Sequence, residues 1–151
     1  MKLKNLRWWV IALIALATVI NYIDRSALAI MWGSEDEVDS ISHSLGLDKT
    51  DYGLILNIFM VFYALGQLFS GKLFDKVGTR IGYVISIGVW GLSSFMHSMV
   101  SGLAGLTFFR STLGISEAGN WPGGVKSNAE WFPIKERAIA QGLFNAGASI
   151  G

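Results

Sequence analysis

WWVIALIALATVINYIDRSALAIMW, residues 8–32, is the stretch whose reading decides the fold. It is 25 residues long, and at about 1.5 Å per residue a helix of that length crosses a hydrocarbon core of roughly 30 Å. Within it lies Asn21-Tyr22-Ile23-Asp24-Arg25, an acid beside a base. Each charge costs about 2.5 kcal/mol at membrane depth on insertion scales and more in simulations. Seven uncharged residues, Ser26 to Trp32, follow before Gly33, which argues against Arg25 simply snorkelling from a helix end. Charges placed this deep face a bundle interior and mark binding or ion-coupling sites.

Working outward, the whole chain has the composition of a membrane protein. Its 151 residues are 52% hydrophobic and 15% charged, with a mean hydropathy of +0.46; a soluble domain carries about 25% charge. The 18 glycines are scattered through apolar runs, where small residues let membrane helices approach closely. Cysteine is absent, which excludes disulfides and thiolate sites. A net charge of +1 gives no hint of a nucleic-acid partner. The basic N-terminus resembles a secretory signal, but the apolar stretch is too long and carries Asp24-Arg25 where a small-residue cleavage site belongs.

Further spans follow in order. After the first, at about 8–32, a polar stretch from Gly33 to Asp51 carries Glu35, Asp36, Glu37, Asp39, Asp48 and Asp51 and reads as a solvated loop. A second span covers about 52–74, a short basic turn covers 71–80, and a third span covers about 81–100. The fourth, about 103–121, contains Arg110 and Glu117, and Pro122-Gly123-Gly124 is expected to end or kink it. An amphipathic link, Lys126 to Arg137, leads to a fifth run over 138–151 that is too short to cross. The expected fold class is thus an all-α polytopic membrane protein, with the chain as the front end of a longer one.

The N-terminus, the 71–80 turn and the 126–137 link hold nine of the twelve basic residues, and the opposite loops hold only Lys49 with six acids. The positive-inside rule therefore puts the N-terminus in the cytoplasm.

Asp24 is eight residues from the outer end of its span and Arg110 seven residues into the fourth, so both lie about 10–12 Å down. They can pair if those spans are neighbours. Glu117 lies two helical turns beyond Arg110 on the same face. Asp24 and Arg25 project about 100° apart and are expected to serve different partners. Tyr63 and Gln67 form an i, i+4 pair near mid-membrane. This inventory suits a proton-coupled anion carrier. A guanidinium, Arg25, holds a carboxylate bidentately; Asp24 and Glu117 are placed to carry protons, with Arg110 competing for either. The plainer alternative is a static ion network of Asp24, Arg110 and Glu117, with Tyr63, Gln67 and Asn145 as ordinary interhelical hydrogen bonders.

Other features carry less. His43 and His97 read as incidental, and Trp8, Trp9 and Trp32 as interfacial belt residues. Gly119 to Ser127 resembles a phosphate loop, but Val125 breaks the required Gly-Lys-Ser and no strand precedes it. Neither a nucleophile with a positioned base nor a set of metal ligands stands out, so no enzyme activity, cofactor or metal is expected.

The 71–80 turn resembles the loop between helices two and three of the major facilitator superfamily, G-x-x-x-D-(R/K)-x-G-x-(R/K), through Gly71, Asp75, Lys76, Gly78 and Arg80. Thr79 and Phe74 are mild departures. Asn21, Tyr22, Asp24 and Arg25, the Arg110/Glu117 spacing, and Trp131, Phe132, Pro133, Glu136 and Arg137 are similar to the anion:cation symporter branch. Glu117 to Pro122 with Phe144 to Gly147 looks most like its hexuronate transporters.

The resemblance implies the first five helices, the fifth truncated, of a twelve-helix fold, with a C-terminal six-helix half as partner. It implies a sugar acid, a hexuronate, imported with protons across the inner membrane by alternating access. Candidate substrate contacts are Tyr22, Arg25, Tyr63, Gln67 and Asn145; Asp24, Arg110 and Glu117 couple protons; Asp75 charge-pairs across the cytoplasmic face. Ala148 stands where some aldonate relatives carry a substrate-binding Gln. The competing expectations are a carrier for another organic anion (aldarate, aldonate or aromatic acid) and an inactive truncated fragment.

Overall fold

The computed structural model describes residues 6–33, 38 and 40–151. Lys2, Lys4 and the acidic residues Glu35, Asp36, Glu37 and Asp39 lie outside the described residues. The described ones form α1 (Leu6–Trp32), α2 (Ile41–Leu45), α3 (Lys49–His97), α4 (Leu103–Glu117), α5 (Asn120–Trp131) and α6 (Ile134–Ile150). α1 and α3 are long and apolar enough to cross a membrane.

Local chemistry sets each boundary. The expected loop after α1 contains a short helix, α2, capped at one end by Ser40 and at the other by Gly46 at φ 62°. Asp48 and Asp51 are not merely solvated. The Asp48 carboxylate accepts from the amides of Thr50 and Asp51 while Asp51 accepts from the Asp48 amide, a capping box that starts α3 ahead of the apolar run.

α3 is 49 residues long because two helical arms, 49–77 and 79–97, meet at Gly78, whose φ of 79° and ψ of 164° fall in a region essentially restricted to glycine. The expected basic turn over 71–80 therefore shrinks to one residue. Phe74, before it, is buried against Gly82 and Tyr83 beyond it, so the arms fold back on each other.

The fourth apolar run also differs from expectation. Its hydrogen-bond ladder breaks at Ala118-Gly119, four residues before Pro122, because proline has no N–H for the Ala118 carbonyl. Both residues keep helical angles, so the chain holds its direction and helix continues through Pro-Gly-Gly to Trp131. The amphipathic link is correspondingly the end of α5, a turn at Phe132-Pro133 and the start of α6 at Ile134. Pro133 forces Phe132 into the extended region (φ −113°, ψ 135°), which ends α5.

α4 packs on α3 through a seam of small residues: a Cβ on Gly66 would reach within 2.8 Å of Ala118, and one on Gly114 within 2.8 Å of the Phe59 carbonyl. Apolar clusters stack along the bundle: Ile11, Ile14, Phe132 and Phe144 at one end, Ala17, Phe59, Trp90 and Leu113 in the middle, Leu28, Trp32, Ile55 and Leu106 at the other. Burial is inverted relative to a water-soluble protein. Trp9, Leu68, Val84 and Ile30 face outward, whereas Asn21, Arg110 and Glu117 are buried.

Candidate functional site

The middle cluster is where α1, the arms of α3 and α4 bring their charges together. Arg25 Nε lies 2.9 Å from Glu117 Oε2, linking α1 to α4, and Glu117 is fully buried. The Arg25 guanidinium stands 4.4 Å from the Tyr63 ring, 5.2 Å from Tyr22 and 5.4 Å from Phe59. Aromatic faces hold a cation through their negative quadrupole, so these rings help fix the guanidinium. Gln67 joins at one remove, donating 2.9 Å to the Tyr63 hydroxyl.

Polar capacity is left over. Arg25 Nη2, Glu117 Oε1, Arg110 Nε and both amide atoms of Asn21 are buried without a hydrogen-bond partner. Groups of this kind are normally satisfied.

Arg110 lies one layer away, its guanidinium 5.1 Å from the Phe59 ring and its Nη2 reaching the Arg25 carbonyl at 3.4 Å. The expected Asp24–Arg110 ion pair does not form. Asp24 Oδ2 instead accepts from the Trp90 indole N–H and, at 3.3 Å, from the Ser94 hydroxyl, both on the second arm of α3. Asp24 and Arg25 do serve different partners, as their angular separation demanded. The sequence reading missed Trp90 and Ser94. The available signal was a tryptophan in mid-span rather than in the belt, since a buried indole N–H needs an acceptor.

Asn145 is not brought to this group. It is exposed on α6 and accepts from Gln141 at 3.0 Å; Gln141 in turn accepts from Asn128 at 3.2 Å.

At the end where α1 begins, Lys126 binds Asp75 at 2.8 Å and the Phe74 carbonyl at 2.8 Å, and Thr79 donates to Glu130 at 2.8 Å. Arg7 pairs with Glu136 at 2.7 Å. Asp75 thus ties the first arm of α3 to α5, and Gly78 supplies the turn. Gly71, Lys76 and Arg80 make no described side-chain hydrogen bond or ion pair; Lys76 and Arg80 are exposed. Among the described residues no cluster of His, Cys, Asp and Glu could hold a metal ion.

The chain is 33% identical over 150 residues to a galacturonate transporter of Dickeya chrysanthemi, covering 99% of this chain and 42% of that protein. It is 35% identical over 150 residues to a hexuronate transporter of Escherichia coli (strain K12), covering 99% of this chain and 33% of the relative. A probable L-galactonate transporter of the same strain is also 35% identical over 150 residues, with 99% and 32% covered. The chain therefore spans between about a third and two-fifths of the length of these relatives. The sequence profile of the Major Facilitator Superfamily matches residues 14–151. Helices, buried charges and relatives agree: the chain belongs to the Major Facilitator Superfamily, a family of transporters rather than enzymes.

Proposed function

We propose that the chain is the front part of a secondary transporter that imports a sugar acid, a hexuronate, together with protons across the inner membrane by alternating access. The observation that carries this reading is the Arg25–Glu117 pair. A guanidinium clamped among three aromatic rings keeps an unpaired Nη2 beside an unpaired Glu117 Oε1. A substrate carboxylate arriving at Arg25 competes with Glu117 for the same cation, and Glu117 released from the cation becomes the better proton acceptor. Anion binding and proton binding are thereby linked at one residue. Tyr63, held by Gln67, and Tyr22 border the guanidinium and are positioned to contact the sugar. Asp24 is the second proton site, and Arg110 tunes both. The relatives named for galacturonate and hexuronate support the substrate class.

The basic segments gather at the end holding Arg7, Gly78 and Pro133, which supports a cytoplasmic N-terminus. A second six-helix half is expected to complete the cavity.

Glu117→Gln in a full-length carrier reconstituted in vesicles is the test. Uptake of glucuronate against its gradient, driven by an imposed pH difference, is expected to vanish while glucuronate counterflow persists. Loss of both assigns Glu117 a structural role and defeats the coupling.

A further inference from the structure

Beside Asp24 lies a cavity of about 200 Å³ between α1, the second arm of α3 and α4, and neither Tyr22 nor Tyr63 lines it. Its polar lining is Asp24, Ser94, His97, Ser98 and Arg110, and the rest is apolar. At about 30 Å³ per molecule it has room for several waters. Glu117 is not among the residues lining it.

His97 ends the second arm of α3 beside the turn into α4, at the opposite end of the bundle from the Asp75–Lys126 pair. Its Nδ1 lies 2.7 Å from the Ser93 carbonyl. A carbonyl only accepts, so Nδ1 carries the hydrogen and the neutral ring has its lone pair on Nε2. Nε2 is buried and without a hydrogen-bond partner. The charged groups that act on the ring are Asp24 from α1 and Arg110 from α4. α2 contributes only Ile41 to the lining, and the Phe109 ring lies 6.2 Å away.

We propose that this cavity is the passage by which protons reach Asp24, with His97 as the relay. The step balances without a co-reactant. When a shift of the ring opens Nε2, buried in this conformation, to a cavity water, a proton from that water binds its lone pair while Nδ1–H stays on Ser93. The Nε2–H then passes to the Asp24 carboxylate, directly or through one water, and the neutral ring is restored. Trp90 and Ser94 both donate to Oδ2 of Asp24, which directs the incoming proton to Oδ1. Asp24 is then loaded from a compartment separate from that of Arg25 and Glu117.

The inference rests on the proton-coupled carrier reading. Its test uses a full-length carrier containing this segment, reconstituted in vesicles, with glucuronate as substrate. His97→Ala and His97→Gln are expected to slow pH-driven uptake at least about tenfold, as loss of a positioned proton-transfer group does, with counterflow unchanged. Free imidazole added on the side of the 98–102 turn is expected to restore a large part of the His97→Ala rate. Parent-like uptake in both variants, counterflow lost in step with uptake, or no rescue by imidazole would each overturn the relay while leaving the carrier intact. A parent protein with no pH-driven uptake would overturn the carrier reading and the relay together.

Discussion

The ion pairs at one end of the bundle and the pair in its middle differ in almost every physical respect. At the end near Gly78, Asp75–Lys126 and Arg7–Glu136 bridge separate elements, yet the Asp75 side chain is 75% exposed and the others are partly wet. Pairs of that kind contribute roughly 0–1 kcal/mol and are screened by salt. In the middle, Arg25–Glu117 bridges α1 and α4 with the carboxylate fully buried. Removing one partner there leaves a charge stranded in low dielectric. The end pairs can open and re-form at little cost. The central pair exchanges partners only when another charge takes a vacated place.

Breaking the central pair on one side should have the largest effect. Arg25→Met is expected to destabilise the protein by about 3–5 kcal/mol, and Arg25→Met with Glu117→Met to recover most of it; denaturant unfolding in detergent measures both. Equal instability of the single and double variants would mean the pair is not what holds α1 to α4. Arg25→Lys keeps the charge and should fold, but should lose most glucuronate uptake because ammonium offers neither the bidentate fork nor the flat stacking face.

An intermediate effect is expected where Phe74 fills a hollow bounded by Gly82, Gly119 and Gly123. A Cβ on Gly123 would lie 2.7 Å from its ring. Gly123→Val should cost about 1–3 kcal/mol through overpacking, with partial recovery in Phe74→Leu. The smallest effect belongs to Asp75→Asn, expected to shift stability by less than about 1 kcal/mol and less still at high salt. A larger shift would erase the contrast between end and middle.

The all-helical class and the identity of the buried charges were legible because apolar length and charge depth are properties of the linear chain. The angular separation of Asp24 and Arg25 followed from helix geometry alone. Pairing was harder. Equal depth suggested Asp24 with Arg110, but depth does not give azimuth, and Trp90 and Ser94 took the carboxylate. Phe74 looked like a mild departure in a loop signature. Its fit depends on glycines from the second arm of α3, the turn after α4 and α5, a coincidence no local pattern encodes. Asn145 carried a sequence resemblance, but its face is set by the packing of α6 on α1. Pro122 suggested an end or a kink, but helix runs on through it and only the hydrogen-bond ladder is interrupted, upstream, where the missing N–H would have bonded.

That packing of α6 on α1 has a mechanical consequence. Gly147 and Gly151 sit so close to α1 that a Cβ on either would strike the Ala15 or Val19 carbonyl oxygen. At these two glycines no side chain stands between the chain segments, which there mesh backbone to backbone. A tilt of the part of α1 that carries Tyr22 and Arg25 is therefore expected to carry α6, and Asn145 with it.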